Sequence, residues 1–271
     1  MARMTPILSV LVPTCNDDHR LEITLRALMV QDGPPFEIVV VNDGGRRSTE
    51  ALVQKILDEG FACSHLNGVQ YFYLEPTTIT FRAAATRNLG IKHCQGERLV
   101  FCDCDTVPAP GFLDAHAQGH QELLVGLRRR VAQWAVEAVD PSYVPLEWLQ
   151  TNVCEEDSRT TRPVLAQAYR DLPGGREPYV VIYTCNLSAP IHTIRAIGGF
   201  DETFVGWGGE DEDLGIRLMK TGIQAFRTPA LVYHLDHDSR SELKASGHLQ
   251  ETRHLDVVRV GPLPKLEPRY L

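Results

Sequence analysis

The stretch Arg98-Leu99-Val100-Phe101-Cys102-Asp103-Cys104-Asp105-Thr106 decides the fold. Its first four residues are typical of a short buried strand, and the prolines and glycine of residues 108–111 prevent that strand from continuing. We therefore expect Asp103 and Asp105 at the carboxyl edge of a sheet, where open α/β folds bind their ligands. Because alternate residues of an extended strand point the same way, the two carboxylates are expected to share a face.

Two carboxylates this close together repel each other unless a cation or hydrogen-bond donors offset the charge. Oxygen ligands of this kind suit Mg²⁺ or Mn²⁺, and such ions often complete their coordination shell with substrate phosphates. The same residues also fit a solvated acidic turn that caps the next helix. The spacing alone leaves both interpretations open.

Three strand–helix units precede this stretch. Apolar, β-rich runs alternate with helical periodicity, which predicts strands at 7–12, 37–41, 69–74 and 98–101 and helices at 19–31, 48–59 and 81–91. Short loops between such elements predict a parallel, doubly wound α/β sheet. Polar residues follow the first, second and fourth strands, so a nucleotide pocket is expected at that edge.

The pattern loosens over residues 128–178, which we interpret as mixed helix and loop. Arg128-Arg129-Arg130 could contact phosphate, although a solvated strand end is the favoured interpretation. Order returns with a predicted strand over 179–188 and a short helix through Ile194 and Ile197. The tail from His248 onward contains Pro262, Pro264 and Pro268 and is expected to be extended over the surface.

The second informative stretch is Trp207-Gly208-Gly209-Glu210-Asp211-Glu212-Asp213. Carboxylates in the first turn of a helix are favoured by the helix dipole and the free N–H groups. That preference explains one or two acids but not four beside a tryptophan and a diglycine. A carboxylate at a helix start can serve as a general base, and a tryptophan face can support a sugar ring.

Two histidines, His234 and His237, lie at the end of an apolar run that begins at Leu231. Their spacing is compatible with zinc, but no further close ligands in the sequence support a structural zinc site. We prefer His234 as an additional ligand of the ion held at Asp105, and the choice between His234 and His237 stays open.

Composition limits the function classes. The 271 residues are 43% hydrophobic and 23% charged, as in an ordinary globular protein, and the net charge of −8 disfavours non-specific nucleic-acid binding. No run of eighteen apolar residues predicts a membrane span, and the first apolar run is too short for a signal peptide. The seven cysteines are odd in number and scattered, which predicts reduced thiols and a cytoplasmic location.

Taken in order, six motifs resemble the inverting, metal-dependent glycosyltransferases of the GT-A fold, family two. The motifs lie at residues 12–16, 41–45, 85–90, 103–105, 198–202 and 207–211. The last of them, with His234, is similar to the carboxyl-terminal half of β-1,4-galactosyltransferases, chondroitin polymerases and polypeptide N-acetylgalactosaminyltransferases. The resemblance implies a nucleotide-sugar-binding half at 1–127, an acceptor-binding and catalytic half of the same domain at 128–240, and a carboxyl-terminal helix and tail at 241–271.

The resemblance also implies roles for individual residues. The UDP-sugar would contact the strand ends and the third helix through Pro13, Thr14, Asn16, Asn42, Asp43, Arg87, Asp103 and Cys104. Mn²⁺ or Mg²⁺ would be held by Asp103, Asp105 and His234. The acceptor and sugar platform would be formed by Trp207, Gly208 and Gly209. Asp211 would be the catalytic base and Glu210 would contact a sugar.

The resemblance implies transfer of a hexose or N-acetylhexosamine from a UDP-sugar to a saccharide hydroxyl or to a Ser, Thr or Cys side chain of a peptide. Since the retaining N-acetylgalactosaminyltransferases carry Asn where this chain has Asp211, an ionised Asp favours inversion. The alternatives are a retaining enzyme of that type and a sugar-binding module without turnover. A nucleotidyltransferase is disfavoured, because no glycine-rich loop with a lysine follows the first strand. The oligomeric state stays open.

Overall fold

The computed structural model describes residues 7–60, 63–77, 82–172, 181–204 and 208–237. The predicted tail at 241–271 lies outside these residues. No helix within the described ranges is both long and apolar enough to cross a membrane.

The first half of the chain forms the predicted alternation of strands and helices. Its elements are β1 (Leu8–Thr14), α1 (Asp18–Met29), β2 (Phe36–Asp43), α2 (Ser48–Asp58), β3 (Leu66–Leu74), α3 (Ala83–His93) and β4 (Arg98–Phe101). Strand β1 pairs in parallel with β2 and β4, and β2 pairs in parallel with β3. Helix α1 buries Leu21, Leu25 and Leu28 at helical spacing. The predicted α/β class is confirmed.

The second half extends the same sheet with antiparallel pairs. Its elements are β5 (Thr106–Pro108), α4 (Phe112–Ala117), β6 (Leu123–Val131), α5 (Gln133–Ala138), α6 (Leu146–Thr151), β7 (Val153–Glu155), α7 (Ser158–Thr161), α8 (Pro163–Arg170), β8 (Leu187–Pro190), α9 (Ile191–Ala196), α10 (Glu210–Lys220) and β9 (Ala225–Leu235). The strand order is β3-β2-β1-β4-β8-β6-β9-β5, with β7 beside β6. Strand β8 is antiparallel to β4 and β6, whereas β6 and β9 are parallel.

The chain between β4 and β5 differs from the prediction. It turns instead of continuing as a strand, and the N–H of Thr106 donates to the carbonyl of Asp103 over 3.0 Å. The expectation that Asp103 and Asp105 share a strand face is therefore wrong, because both lie in this turn. Pro108 ends the short edge strand β5, a position where its missing N–H is tolerated.

The predicted strand over 179–188 is also shorter than expected. Residues 173–180 lie outside the described part, Thr184–Asn186 form a 3₁₀ turn, and only Leu187 onward is strand. The reason is Asn186, whose buried amide donates to the carbonyls of Leu127 and Ala230 over 2.8 and 3.1 Å. These bonds hold the turn against β6 and β9.

A buried polar network joins β4, β8, helix α4 and the 3₁₀ turn Thr184–Asn186. Arg98 donates to Ser188 Oγ, which lies 2.9 Å from His116 Nδ1, while His116 Nε2 lies 2.9 Å from Asn186 Oδ1. Because the Asn186 amide group already donates to carbonyls, His116 Nε2 carries the proton. Burial lowers the pKa of His116 to about 3, so the ring is neutral.

Candidate functional site

The carboxyl ends of β1 and β2 form one side of the site. Asn42 is fully buried and shapes the loop after β2, since its Oδ1 accepts from Gly45 N and its Nδ2 donates to Arg46 O and Tyr71 Oη. Asn16 has a positive φ of 56° and its Oδ1 accepts from Arg46 N over 3.0 Å. Asn42 therefore positions backbone, while Asn16 is exposed at the loop surface.

Asp43, at the end of β2, is held by Arg82. Its Oδ1 accepts from Arg82 Nε over 2.8 Å, and its Oδ2 accepts from the Arg82 backbone N–H over 2.9 Å. The guanidinium also donates to Glu75 O. The pair is mostly buried, with 12% of the Arg82 side chain and 7% of the Asp43 side chain exposed. Arg82 was not predicted as a functional residue.

Arg87 on α3 is the centre of an acidic cluster. Its guanidinium donates to Asp103 Oδ1 over 3.1 Å and to Glu210 Oε1 over 3.2 Å, and it lies 3.9 Å from Asp211 Oδ1. Burial disfavours its charge, but Asp103, Asp211 and Glu210 outweigh burial and raise the pKa of Arg87 above its ordinary value. The structure thus joins the two acidic motifs, which lie more than a hundred residues apart in sequence.

Asp211 lies in the first turn of α10 and is positioned by Thr184. The Thr184 hydroxyl donates to Oδ1 over 2.9 Å, and the Thr184 N–H donates to Oδ2 over 3.2 Å. Burial, followed by the charges of Glu210 and Asp103, raises the pKa of Asp211 to about 6, although Arg87 opposes the shift. The carboxylate is 24% exposed, so it can be reached by a substrate.

Gly208 and Gly209 lead into α10 with positive φ of 93° at both positions. A Cβ on Gly209 would lie 3.0 Å from the ring of Phe204, so the turn needs glycine for conformation and for space. The neighbouring Trp207 lies outside the described residues.

A second cluster forms at the other side of Asp103. Asp105 Oδ2 lies 3.5 Å from His234 Nε2 and 3.2 Å from His237 Nε2. One ligand atom from each of these three residues lies within 4.8 Å of the others. We call these residues the Asp105 triad. Asp103 instead hydrogen-bonds Arg87.

The Asp105 triad fits a divalent metal ion. Asp105 Oδ1 and His234 Nδ1 are buried and have no hydrogen-bond partner within the described part of the chain. Burial disfavours the Asp105 charge, but the nearby histidines and Arg20 hold the pKa of Asp105 well below its usual range. Burial lowers the pKa of His234, which keeps an imidazole nitrogen available as a ligand. Two imidazoles with one carboxylate suit Mn²⁺ better than Mg²⁺, which prefers oxygen ligands throughout.

The segment between the two histidines is fixed by its neighbours. Arg130 pairs with Asp236, Arg20 donates to Asp236 O over 2.8 Å, and Leu235 N donates to Asp105 O over 2.8 Å. These bonds hold both histidines towards Asp105 before any ion binds.

The structure brings most of the predicted site residues to one sheet edge, and the described residues include Pro13, Thr14 and Cys104 there as well. Arg82 and Thr184 were overlooked in the sequence, and His237 was left open. The three-residue spacing of His234 and His237 was the available signal for the latter. Thr184 carried no signal, because its partner Asp211 lies 27 residues later.

Two models of known protein families match the sequence of this chain. Residues 9–142 match the sequence model of glycosyl transferase family 2, and residues 167–238 match the model described as the N-terminal domain of galactosyltransferase. The fold is that of the GT-A glycosyltransferases. The chain carries a glycosyltransferase family 2 region over residues 9–142, just under half of its length.

Two curated relatives and one solved structure illustrate the similarity. Validoxylamine A glucosyltransferase of Streptomyces hygroscopicus subsp. limoneus is 29% identical over 238 residues, covering 80% of this chain and 49% of the relative. Chondroitin synthase of Pasteurella multocida is 26% identical over 231 residues, covering 79% of this chain and 23% of the relative. The structure of GalNAc-T7 with UDP, GalNAc and Mn²⁺ superposes with a TM-score of 0.59 at 16% identity. The match covers 86% of this chain and 44% of GalNAc-T7. The chain thus spans about half or less of the length of each of these proteins.

Proposed function

We propose that the protein transfers a hexose or N-acetylhexosamine from a UDP-sugar to an acceptor hydroxyl, with inversion at the anomeric carbon and dependence on a divalent metal ion. The observation that carries this proposal is Asp211, a carboxylate that is partly exposed and held by Thr184 beside the Arg87 cluster. The family match supports the reaction class.

The donor would bind along the edge formed by β1, β2 and the turn after β4. In this proposal Thr14, Asn16 and the Asp43–Arg82 pair surround the uridine, while Asn42 holds the loop. Mn²⁺ on the Asp105 triad would act as a Lewis acid towards the diphosphate. The GalNAc-T7 structure holds UDP and Mn²⁺, which supports this choice of nucleotide and ion.

Asp211 would act as the general base. The acceptor oxygen forms a bond to the anomeric carbon as the bond to the diphosphate breaks, and Asp211 takes the acceptor proton. Arg87 positions Asp211 and Glu210 instead of contacting the diphosphate, because its guanidinium is buried and already pairs with their carboxylates. Glu210 is 8% exposed and would face a sugar hydroxyl.

The acceptor would be a saccharide or a peptide side chain. The names of the two relatives, a glucosyltransferase acting on validoxylamine A and a chondroitin synthase, favour a saccharide or related polyol. Gly208, Gly209 and Trp207 are the proposed acceptor platform. Seven free cysteines fit a reducing compartment, so we propose a cytoplasmic location.

The test is release of UDP from a panel of UDP-sugars and acceptors, with Mn²⁺ and with EDTA. Asp211→Asn should abolish transfer and preserve UDP binding. Asp213→Asn is the matched control, because Asp213 lies in the same helical turn and pairs with Arg217 over 2.7 Å. NMR of the product establishes the anomeric configuration. A fully active Asp211→Asn variant refutes the base, and a retained configuration refutes inversion.

A further inference from the structure

Strand β6 ends with three consecutive arginines that have different environments. Arg129 pairs with Glu156 over 3.0 Å, and Arg130 pairs with Glu155 over 2.7 Å and with Asp236. Arg128 has no ion pair with a carboxylate among the residues that the structure describes. Its backbone N–H donates to Asp157, but its guanidinium forms no ion pair with that carboxylate.

The nearest carboxylate, Asp157, is already neutralised by another arginine. Asp157 accepts from Arg159 at Nε and Nη2, and both side chains are almost completely buried, with 0% and 2% exposed for Arg159 and Asp157. Asp157 also accepts from the Arg128 N–H over 2.8 Å. Asp157 and Arg159 together therefore contribute no net charge, and the charge of Arg128 remains.

Arg128 is directed towards the candidate site. Its Nη1 lies 3.8 Å from Cys185 Sγ, and its guanidinium carbon lies 5.1 Å from the centre of the Tyr183 ring. These two residues flank Thr184, which holds Asp211. In the parallel pair β6–β9, Arg128 is opposite Val232, so it shares a sheet face with His234 two residues further along.

The two side chains that contact the Arg128 guanidinium, Cys185 and Tyr183, are neutral. Burial raises the pKa of Cys185 to about 11, so its thiol is not ionised at neutral pH. Tyr183 contributes the face of an aromatic ring, which attracts a guanidinium without removing its charge. Arg128 thus keeps a full positive charge at a half-buried position between the base and the metal ligands.

The charge of the site shows what this cation can do. Asp103, Asp105, Glu210 and Asp211 carry four negative charges when ionised, against one positive charge on Arg87. A divalent ion on the Asp105 triad would leave the site with a net negative charge. The diphosphate of a nucleotide-sugar adds negative charge, and cleavage of the glycosidic bond adds more, so a further cation is needed where the diphosphate lies.

We propose that Arg128 binds the diphosphate of the donor and stabilises the nucleoside diphosphate as it leaves. This inference rests on the proposed function. When the bond between the anomeric carbon and the diphosphate oxygen breaks, the electron pair stays on that oxygen, and the Arg128 guanidinium donates to the resulting anion. Arg suits this task, because its planar group donates two parallel hydrogen bonds to phosphate oxygens.

The experiment compares UDP with uridine, which lacks the phosphates, by calorimetric titration in the presence of Mn²⁺. Arg128→Gln should weaken UDP binding by about 10- to 100-fold, as expected for loss of a hydrogen bond between charged groups, and should leave uridine binding unchanged. Arg128→Lys should recover part of the loss. Arg129→Gln is the matched control, since it removes the adjacent charge from an exposed pair with Glu156.

The outcomes separate this inference from the proposed function. If the wild-type protein binds no UDP, the proposed function is refuted and the role of Arg128 with it. If the wild type binds UDP and Arg128→Gln binds it equally well, only the role of Arg128 is refuted, and Arg128 serves to balance the acidic cluster. Equal losses for UDP and uridine in Arg128→Gln, or no partial recovery of UDP binding in a folded Arg128→Lys variant, also overturn it. Thermal unfolding of each variant checks the fold.

Discussion

The hydroxyl of Thr184 donates to Oδ1 of Asp211 over 2.9 Å, and the N–H of the same residue donates to Oδ2 over 3.2 Å. One residue therefore fixes both oxygens of the proposed base. Since both bonds favour the ionised carboxylate, Thr184 limits the rise in the pKa of Asp211 that burial causes.

This relationship predicts the pH dependence of transfer. A base with a pKa of about 6 loses its proton-accepting form below that pH, so kcat/KM should fall about tenfold per unit on the acid side. Thr184→Val removes the hydroxyl donor and should move this limb to higher pH. The measurement is UDP release as a function of pH at saturating Mn²⁺. An acid limb that stays at the same pH in Thr184→Val would contradict the assignment.

If the Asp105 triad binds Mn²⁺, each of its three residues should contribute to the affinity by a comparable amount. Replacing Asp105 by Asn, or His234 or His237 by Ala, should each weaken Mn²⁺ binding by about tenfold or more, because each change removes one of three protein ligands. Electron paramagnetic resonance of free Mn²⁺ measures this. His192→Ala, at an exposed position on α9, is the control. Unchanged Mn²⁺ binding in His237→Ala would exclude His237 from the site.

The turn before α10 should make the protein more sensitive to substitution of Gly209 than to substitution of Gly222. Gly209→Ala and Gly222→Ala both force alanine into positive φ, of 93° and 88°, but only the first places its Cβ against another group, the ring of Phe204. Each should cost about 1 kcal/mol from conformation. Gly209→Ala should cost more, and it should lower kcat by displacing Glu210 and Asp211. Urea unfolding and UDP release measure the two effects. Equal losses of stability would show that the Phe204 contact is unimportant.

The Asp43–Arg82 pair predicts a loss of stability and of nucleoside binding. Arg82→Ala leaves a mostly buried carboxylate without its partner, which should cost about 3 kcal/mol in the free energy of unfolding and weaken binding of uridine. Arg47→Ala removes an exposed pair with Glu75, with 67% and 74% of the side chains exposed, and should cost less than about 1 kcal/mol. Urea unfolding and uridine titration test both. A loss of stability without any change in uridine binding would limit Asp43 to a structural role.

The first half of the fold could be predicted because its signals are local. Apolar runs such as Phe36–Asp43 are buried on both faces, and their lengths and intervening helical periodicity indicate a parallel sheet. The turn at Asp103 and Asp105 could not be predicted in this way. Its course depends on the bonds of Thr106 to Asp103 and of Leu235 to Asp105, and the second partner lies more than a hundred residues away.

The site was predictable where a motif brings several functional residues together in sequence. The acids at 103–105 and 210–213 are visible as motifs, and roles were assigned to them from resemblance. The position of Arg87 between these two motifs could not be predicted. Nothing in the local sequence shows that one guanidinium contacts Asp103, Glu210 and Asp211. Arg128 was interpreted as a solvated strand end, whereas it is half-buried beside Cys185 and Tyr183.

Arg87 has a consequence for any attempt to divide the protein. It belongs to α3, yet two of its three acidic partners come from α10, and β8 from the later part of the chain lies between β4 and β6. A fragment cut after the family 2 match would carry a buried cation stripped of Glu210 and Asp211, next to an unpaired edge of β4. Such a fragment should aggregate or unfold, and nucleotide binding should return only when both pieces are co-expressed and reassociate.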